Sequence, residues 1–151
     1  MISIINFTPE FGNINEKLLK DLIRKITKKE KINAKINLSI AFVSASEIKK
    51  LNQSYRKKNK PTDVLSFGEI NPFSFSQEDF FEPQIVVCLE EVKKNAEESK
   101  EPFEKEIIRV LIHALLHLLG EEHEKNILAA KKMFQKQKDY LSNLKSFNVL
   151  N

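Results

Sequence analysis

The spacing of hydrophobic residues divides the chain into short strands and longer helices. Apolar residues run together over residues 2–7 and alternate with polar residues over residues 34–43, and both patterns predict strands. Two shorter apolar runs, at residues 64–67 and 85–88, predict two more strands. We therefore expect four short strands, separated along most of the chain by segments with helical spacing.

Apolar residues three and four positions apart predict five helices. Asn15 is placed to cap the first helix, Ser44 has capping-box spacing to Glu47 before the second, and Pro102 suits a helix start before the fourth. The predicted helices span about residues 16–29, 45–55, 89–98, 103–119 and 125–144.

The fourth predicted helix, residues 103–119, is apolar on nearly every side, which is typical of a helix buried in the middle of a domain. The order of strands and helices predicts an α+β fold with one mixed β-sheet, helices packed on it and this helix at the centre. The length of 151 residues suits a single domain spanning residues 1–151.

The composition is that of an ordinary soluble globular protein, with 41% hydrophobic and 30% charged residues. No apolar run approaches the roughly 20 residues that span a bilayer, and residues 1–7 lack the basic start of a signal peptide. Cys88 is the only cysteine, so no intrachain disulfide can form, which fits a cytoplasmic protein. The net charge of +4 permits a polyanionic partner without requiring one.

All three histidines lie within eleven residues at the end of the central helix. His113 and His117 are four positions apart and project from one helix face. Gly120 permits a left-handed turn that ends the helix, so His123 can return toward the same point. A single histidine is more often a satisfied core or surface residue than a ligand. Three in this arrangement predict a metal site with an open position, as in catalytic zinc centres.

The histidine spacing is that of metzincin proteases, but the protease base is missing. Those enzymes carry glutamate directly after the first histidine, where this chain has Ala114. Phosphodiester cleavage needs a metal and a cation to stabilise the developing charge. Arg56 opens a basic segment, residues 56–62, and its planar guanidinium can pair two phosphate oxygens at once. Arg56 is therefore the candidate catalytic residue.

Two segments together resemble the bacterial YbeY family. One is residues 51–67, which contains Arg56, and the other is the histidine motif, in the family's order along the chain. The resemblance implies a metal-dependent endoribonuclease, specific for single strands, that acts in maturation of the 3′ end of small-subunit ribosomal RNA and in ribosome quality control. It implies one zinc ion on His113, His117 and His123, and it matches Arg56 to the family's functional arginine. The implied partners are ribosomal RNA and the small ribosomal subunit, with no membrane or DNA partner.

The chain departs from the family pattern without losing an implied metal ligand or the arginine. Ala114 stands in place of glycine, and an acidic pair, Glu121 and Glu122, in place of Tyr-Asp. We expect this pair mainly to solvate the surface. Asn59 stands where aspartate is common, and residues 83–85 read Pro-Gln-Ile instead of Gly-Asp-Ile, which removes any role resting on that aspartate.

Three hypotheses for the function stay open at this point. The first is the zinc-dependent endoribonuclease. The second is a ribosome-assembly or RNA-binding factor whose metal is structural, and the third is a metzincin-like hydrolase acting on peptides or small molecules. Cys88 lies on a separate strand and offers no obvious fourth ligand, which favours an open metal site. Aromatic residues in the irregular segment 71–83 suit a lid, a contact with a partner, or packing back onto the core.

Overall fold

The structure, a computed structural model, describes residues 1–32, 36–70, 82–121 and 126–151. In these ranges it contains four strands, β1 (Ile2–Asn6), β2 (Leu38–Phe42), β3 (Val64–Phe67) and β4 (Gln84–Val87). It also contains five α-helices, α1 (Glu16–Lys29), α2 (Ala45–Arg56), α3 (Leu89–Ser99), α4 (Phe103–Leu118) and α5 (Ile127–Ser142), and a short 3-10 turn, Pro9–Phe11.

The strands form one mixed sheet in the order β1-β2-β4-β3. β1, β2 and β4 are parallel, and β3 pairs antiparallel with β4. Ile85 and Val87 of β4 face the main core, whereas Val86 between them faces a second cluster with Ile48 of α2 and Leu65 of β3. Helices therefore cover both faces beside β4, and the predicted α+β class is confirmed.

The helix starts agree with the capping residues in the sequence. The Asn15 side chain accepts a hydrogen bond from the backbone N–H of Leu18, at 3.2 Å, and begins α1. Ser44 Oγ accepts one from the N–H of Glu47, at 3.3 Å, and begins α2. Each cap satisfies an amide that has no partner within its own helix.

α4 is the central element, as its apolar composition predicts. It packs against α3, α5 and β3. Its buried apolar side chains come from all sides of the helix: Ile107, Ile108, Val110, Leu111, Ile112, Ala114, Leu115, Leu116 and Leu118. Gly120 follows at φ +99°, a left-handed conformation that suits glycine and ends the helix. The side chains on α4 are thus held on a rigid support.

Most element boundaries differ from the prediction by one or more residues, and three of these differences are informative. β2 begins at Leu38, four residues later than predicted, and residues 33–35 lie outside the described part of the chain. Arg56 is the last residue of α2, one residue beyond the predicted end, because the helix continues until Lys57 adopts a left-handed φ of 57°. β4 ends at Val87, and Cys88 is the buried residue that precedes α3.

Three further predictions concern Cys88, membrane-spanning helices and the aromatic segment 71–83. Cys88 is a buried free thiol whose pKa is raised by burial, so it behaves as a small core residue. Among the residues described, none of the helices has the length and apolar character needed to cross a membrane. The aromatic segment 71–83 falls almost wholly on residues 71–81, outside the described residues, so none of its three interpretations is tested.

Candidate active site

Arg56, His113 and His117 line one cleft of about 420 Å³. The cleft lies between the end of α2, the length of β3 and the C-terminal half of α4. Its described walls also contain Tyr55, Ala114 and five consecutive residues from Val64 to Gly68. Arg56, found at the start of a basic segment, and two histidines found through their spacing are therefore neighbours in space, although more than fifty residues separate them in sequence.

α4 presents the two histidines on the same side, one turn apart. Both side chains reach toward solvent in the cleft, while Ile112, Ala114 and Leu116 beside them are buried. The side chains around the histidines anchor α4 in the core, so the backbone positions that carry the two imidazole rings are held in place. Such rigidity favours binding of a metal ion, because the ligands need little ordering when the ion arrives.

His117 is oriented by the backbone that follows α4. Its Nδ1 lies 3.1 Å from the carbonyl oxygen of Glu121. A carbonyl oxygen only accepts, so Nδ1 donates and the ring of a neutral His117 carries its lone pair on Nε2. A hydrogen bond of this kind at one ring nitrogen is typical of histidines that bind a metal through the other.

His113 has a side-chain partner, Gln137 of α5. The amide nitrogen of Gln137 lies 2.8 Å from Nδ1 of His113. In this arrangement the amide donates to Nδ1, which leaves the ring proton on Nε2. Binding of a metal through Nε2 requires the amide to turn over so that its oxygen accepts from Nδ1–H. The terminal amide torsion is broad and roughly two-fold, so this change is small.

Gln137 was missed by the sequence analysis, although a signal was present. It lies in the buried stripe of α5 between Met133 and Tyr140, at helical spacing. A polar residue within such a stripe needs a hydrogen-bond partner. The sequence pattern therefore indicates that Gln137 needs a hydrogen-bond partner, but it does not identify His113 as that partner.

A polar network ties the turn after α4 to two other helices. Lys136 Nζ donates to Glu121 Oε1 at 2.8 Å and to Glu30 Oε2 at 2.7 Å, and the hydroxyl of Tyr140 donates to Glu30 Oε1 at 2.7 Å. The side chain of Glu121 is 14% exposed. The expectation that Glu121 mainly solvates the surface is therefore wrong, since it joins a partly buried ion network. Glu122 lies outside the described residues.

The network shifts the ionisation of its members. Burial raises the pKa of the Glu30 carboxyl, but the hydrogen bonds from Lys136 and Tyr140 outweigh it and the net pKa is lowered. Burial lowers the pKa of the Lys136 ammonium, and its two carboxylate partners more than compensate, so its pKa is raised. Burial and then Glu30 raise the pKa of the Tyr140 phenol. Glu30 and Lys136 therefore both remain ionised near neutral pH.

Arg56 lies where α2 ends, with its side chain exposed in the cleft wall. The chain that follows is fixed by Asn52, a buried residue of α2 whose amide Nδ2 donates to the carbonyl of Lys60 at 2.9 Å. Three exposed lysines, Lys57, Lys58 and Lys60, lie in this segment. The result is a positively charged rim next to Arg56, which itself lines the cleft.

The donor set in the cleft suits a transition metal better than magnesium. Two imidazoles on one face with orienting partners are ligands that zinc prefers, whereas magnesium prefers carboxylates and water. The third predicted ligand, His123, lies outside the described residues. In the described ranges alone, no group of three or more histidine, cysteine or acidic side chains is placed to hold a metal ion.

Comparison with known proteins gives a consistent result. The family model described as Endoribonuclease YbeY matches residues 5–145. Relatives named Endoribonuclease YbeY include one from Thermotoga maritima, 41% identical with 82% of this chain and 76% of that protein covered. Another, from Persephonella marina, is 38% identical with coverages of 89% and 87%.

A solved structure supports the same assignment. The solution structure of a Thermotoga maritima protein matches with a TM-score of 0.59 and 37% identity, over 94% of this chain and 87% of that one. The family match spans most of the chain, including Arg56, His113 and His117. The resemblance seen in the two sequence motifs is thereby confirmed, and the chain belongs to the family described as Endoribonuclease YbeY.

Proposed function

We propose that this protein is a zinc-dependent endoribonuclease that cleaves single-stranded RNA during maturation of small-subunit ribosomal RNA in the cytoplasm. The observation that carries the proposal is that Arg56, His113 and His117 share the walls of one open cleft. Two groups of the kinds that phosphodiester cleavage needs, metal ligands and a phosphate-binding cation, therefore face the same space. The names of the relatives agree with an activity on RNA.

His113, His117 and His123 would hold one zinc ion. When bound, zinc would polarise a phosphoryl oxygen and activate water near neutral pH. Around it, the Glu121 carbonyl fixes the ring of His117, and Gln137 fixes the ring of His113. The pair Lys136–Glu121 holds the turn that supplies the carbonyl.

Arg56 has the task of binding the phosphate. Its fork of N–H donors can pair with two non-bridging oxygens and stabilise the charge that develops on them. Lysine could supply the charge but not the paired geometry. The exposed lysines at positions 57, 58 and 60 would attract the RNA backbone at longer range, so binding should weaken as salt is raised.

The preference for single strands and the ribosomal substrate rest on the family resemblance. The test is an assay with zinc-loaded protein on a fragment of small-subunit ribosomal RNA, compared with the same sequence as a duplex and as DNA. We expect cleavage of the single-stranded RNA alone. His113→Ala should reduce both zinc content and cleavage, and zinc should not restore it at stoichiometric concentration.

Two results would argue against this function. Zinc bound in a stable protein that leaves all three nucleic acids intact would favour the structural role of the metal in an assembly factor. Cleavage that persists in His113→Ala, repurified from a strain lacking the native enzyme, would show that the histidine site is not the source of activity.

A further inference from the structure

Tyr55 is an aromatic side chain in the cleft for which the proposed mechanism has no use. It directly precedes Arg56 in α2 and lines the same cleft as the two histidines. Its exposed fraction is 68%, among the largest for hydrophobic residues in the described part of the chain. An exposed tyrosine beside a phosphate-binding arginine suits a ligand with both a flat apolar face and a negative charge.

In the part of the chain that the structure describes, Phe67 is the aromatic side chain that packs against the ring of Tyr55. Phe67, near the end of β3, meets it edge to face, with ring centroids 5.0 Å apart and planes 62° apart. This contact is a favourable aromatic geometry and orients the tyrosine ring relative to the sheet. Tyr55 as a whole is 68% exposed with Phe67 in place, which leaves room for a second flat group to stack on its ring without displacing Phe67.

We propose that Tyr55 is a base-stacking residue, which holds one unpaired base of the RNA while Arg56 holds a neighbouring phosphate. Base and phosphate are adjacent in a nucleotide, as Tyr55 and Arg56 are adjacent in α2. Stacking on an aromatic ring requires a base that is free of its neighbours, so it selects single strands over duplexes without reading sequence. The inference rests on the proposed function, because it assigns the substrate of the same cleft.

The role of Tyr55 can be tested by tryptophan fluorescence without background, because the chain has no tryptophan of its own. Tyr55→Trp places a single tryptophan in the cleft, next to Phe67. Its fluorescence should be quenched when zinc-loaded protein is mixed with single-stranded RNA, recorded by stopped flow before cleavage. An abasic ribose-phosphate strand of equal length carries the same charges and no bases, and should leave the fluorescence unchanged.

Binding measurements supply the second readout. Tyr55→Leu should bind single-stranded RNA about 5- to 100-fold more weakly, as expected for loss of one stacked base, and should bind the abasic strand like the wild type. Tyr55→Phe keeps the ring and should stay within about two-fold of the wild type. Phe134→Leu is the matched control, because it removes a ring that is 65% exposed on α5, a helix absent from the described cleft walls.

The outcomes separate this inference from the function on which it rests. Wild-type protein that cleaves RNA, with Tyr55→Leu equal to it in RNA binding, would overturn the stacking role alone. Equal quenching of Tyr55→Trp by the abasic strand would also overturn it. Base-dependent binding without cleavage would support stacking and refute the nuclease. Thermal unfolding of Tyr55→Leu near the wild-type temperature would show that losing the Phe67 contact does not destabilise the fold, so weaker RNA binding would not result from unfolding.

Discussion

At the scale of the residue, Gln137 is expected to set the affinity of His113 for zinc. We predict that Gln137→Leu, which keeps the size of the side chain and removes the hydrogen bond to Nδ1, weakens zinc binding about 10- to 100-fold. Gln137→Glu should retain affinity, because a carboxylate also accepts from Nδ1–H. Gln135→Leu is the control on the same helix, since Gln135 is exposed and bonds only to Asp139 among the described contacts. A competition titration against a zinc chelator measures the difference. Gln137→Leu binding zinc like the wild type would remove this role.

The sequence predicts individual site residues when their chemistry has a local pattern. His113 and His117 were found because helical spacing places them on one face, and Arg56 because it opens a basic segment and its guanidinium can pair two phosphate oxygens. Tyr55 and Gln137 were not found, since their significance depends on what lies opposite in space. A tyrosine at a helix end and a glutamine in a buried stripe have no distinctive spacing that identifies a partner.

At the scale of the element, the network of Glu30, Lys136 and Tyr140 joins the end of α1 to α5. The lowered pKa of Glu30 means that its ionised form stabilises the fold above about pH 4.5 and that this contribution is lost as pH falls through the folded-state pKa. The raised pKa of Tyr140 acts in the opposite sense. Its contribution is present below about pH 10 and decreases as pH rises further.

We predict that Glu30→Gln lowers the free energy of unfolding at pH 7 by about 1–2 kcal/mol, at or below the lower end of the range for charged hydrogen bonds, because the network keeps some contact with solvent. Its loss of stability on acidification should be shallower than that of the wild type. Glu47→Gln, at an exposed carboxylate paired with Lys50, should change stability little. Urea unfolding between pH 3 and 7 tests both. If the free energy of unfolding fell equally steeply with decreasing pH in the wild type and in Glu30→Gln, the role given to the network would be contradicted.

Element boundaries were predicted best where a side chain ends or begins the element. Asn15 and Ser44 gave correct helix starts because they satisfy backbone amides directly. The end of α2 was misplaced by one residue, because it depends on Lys57 taking a left-handed conformation that lysine does not favour. The sheet order β1-β2-β4-β3 was not predicted, since pairing of distant strands leaves no local pattern.

At the scale of the whole molecule, the fold brings the end of α2, the strand β3 and the central helix α4 to one cleft. This convergence places Arg56 in the same cleft as His113 and His117, although they are far apart along the chain. In the proposed function the two serve different tasks, phosphate binding by Arg56 and metal binding by the histidines.

The most direct test compares zinc content with RNA cleavage in a single variant, Arg56→Ala. We predict that it binds one zinc ion as tightly as the wild type and cleaves single-stranded RNA about 100- to 1,000-fold more slowly, as when one charge-stabilising donor is removed from an active site. Arg24→Ala, at an exposed arginine on α1, should leave both properties unchanged. Undiminished cleavage by zinc-loaded Arg56→Ala would contradict the account.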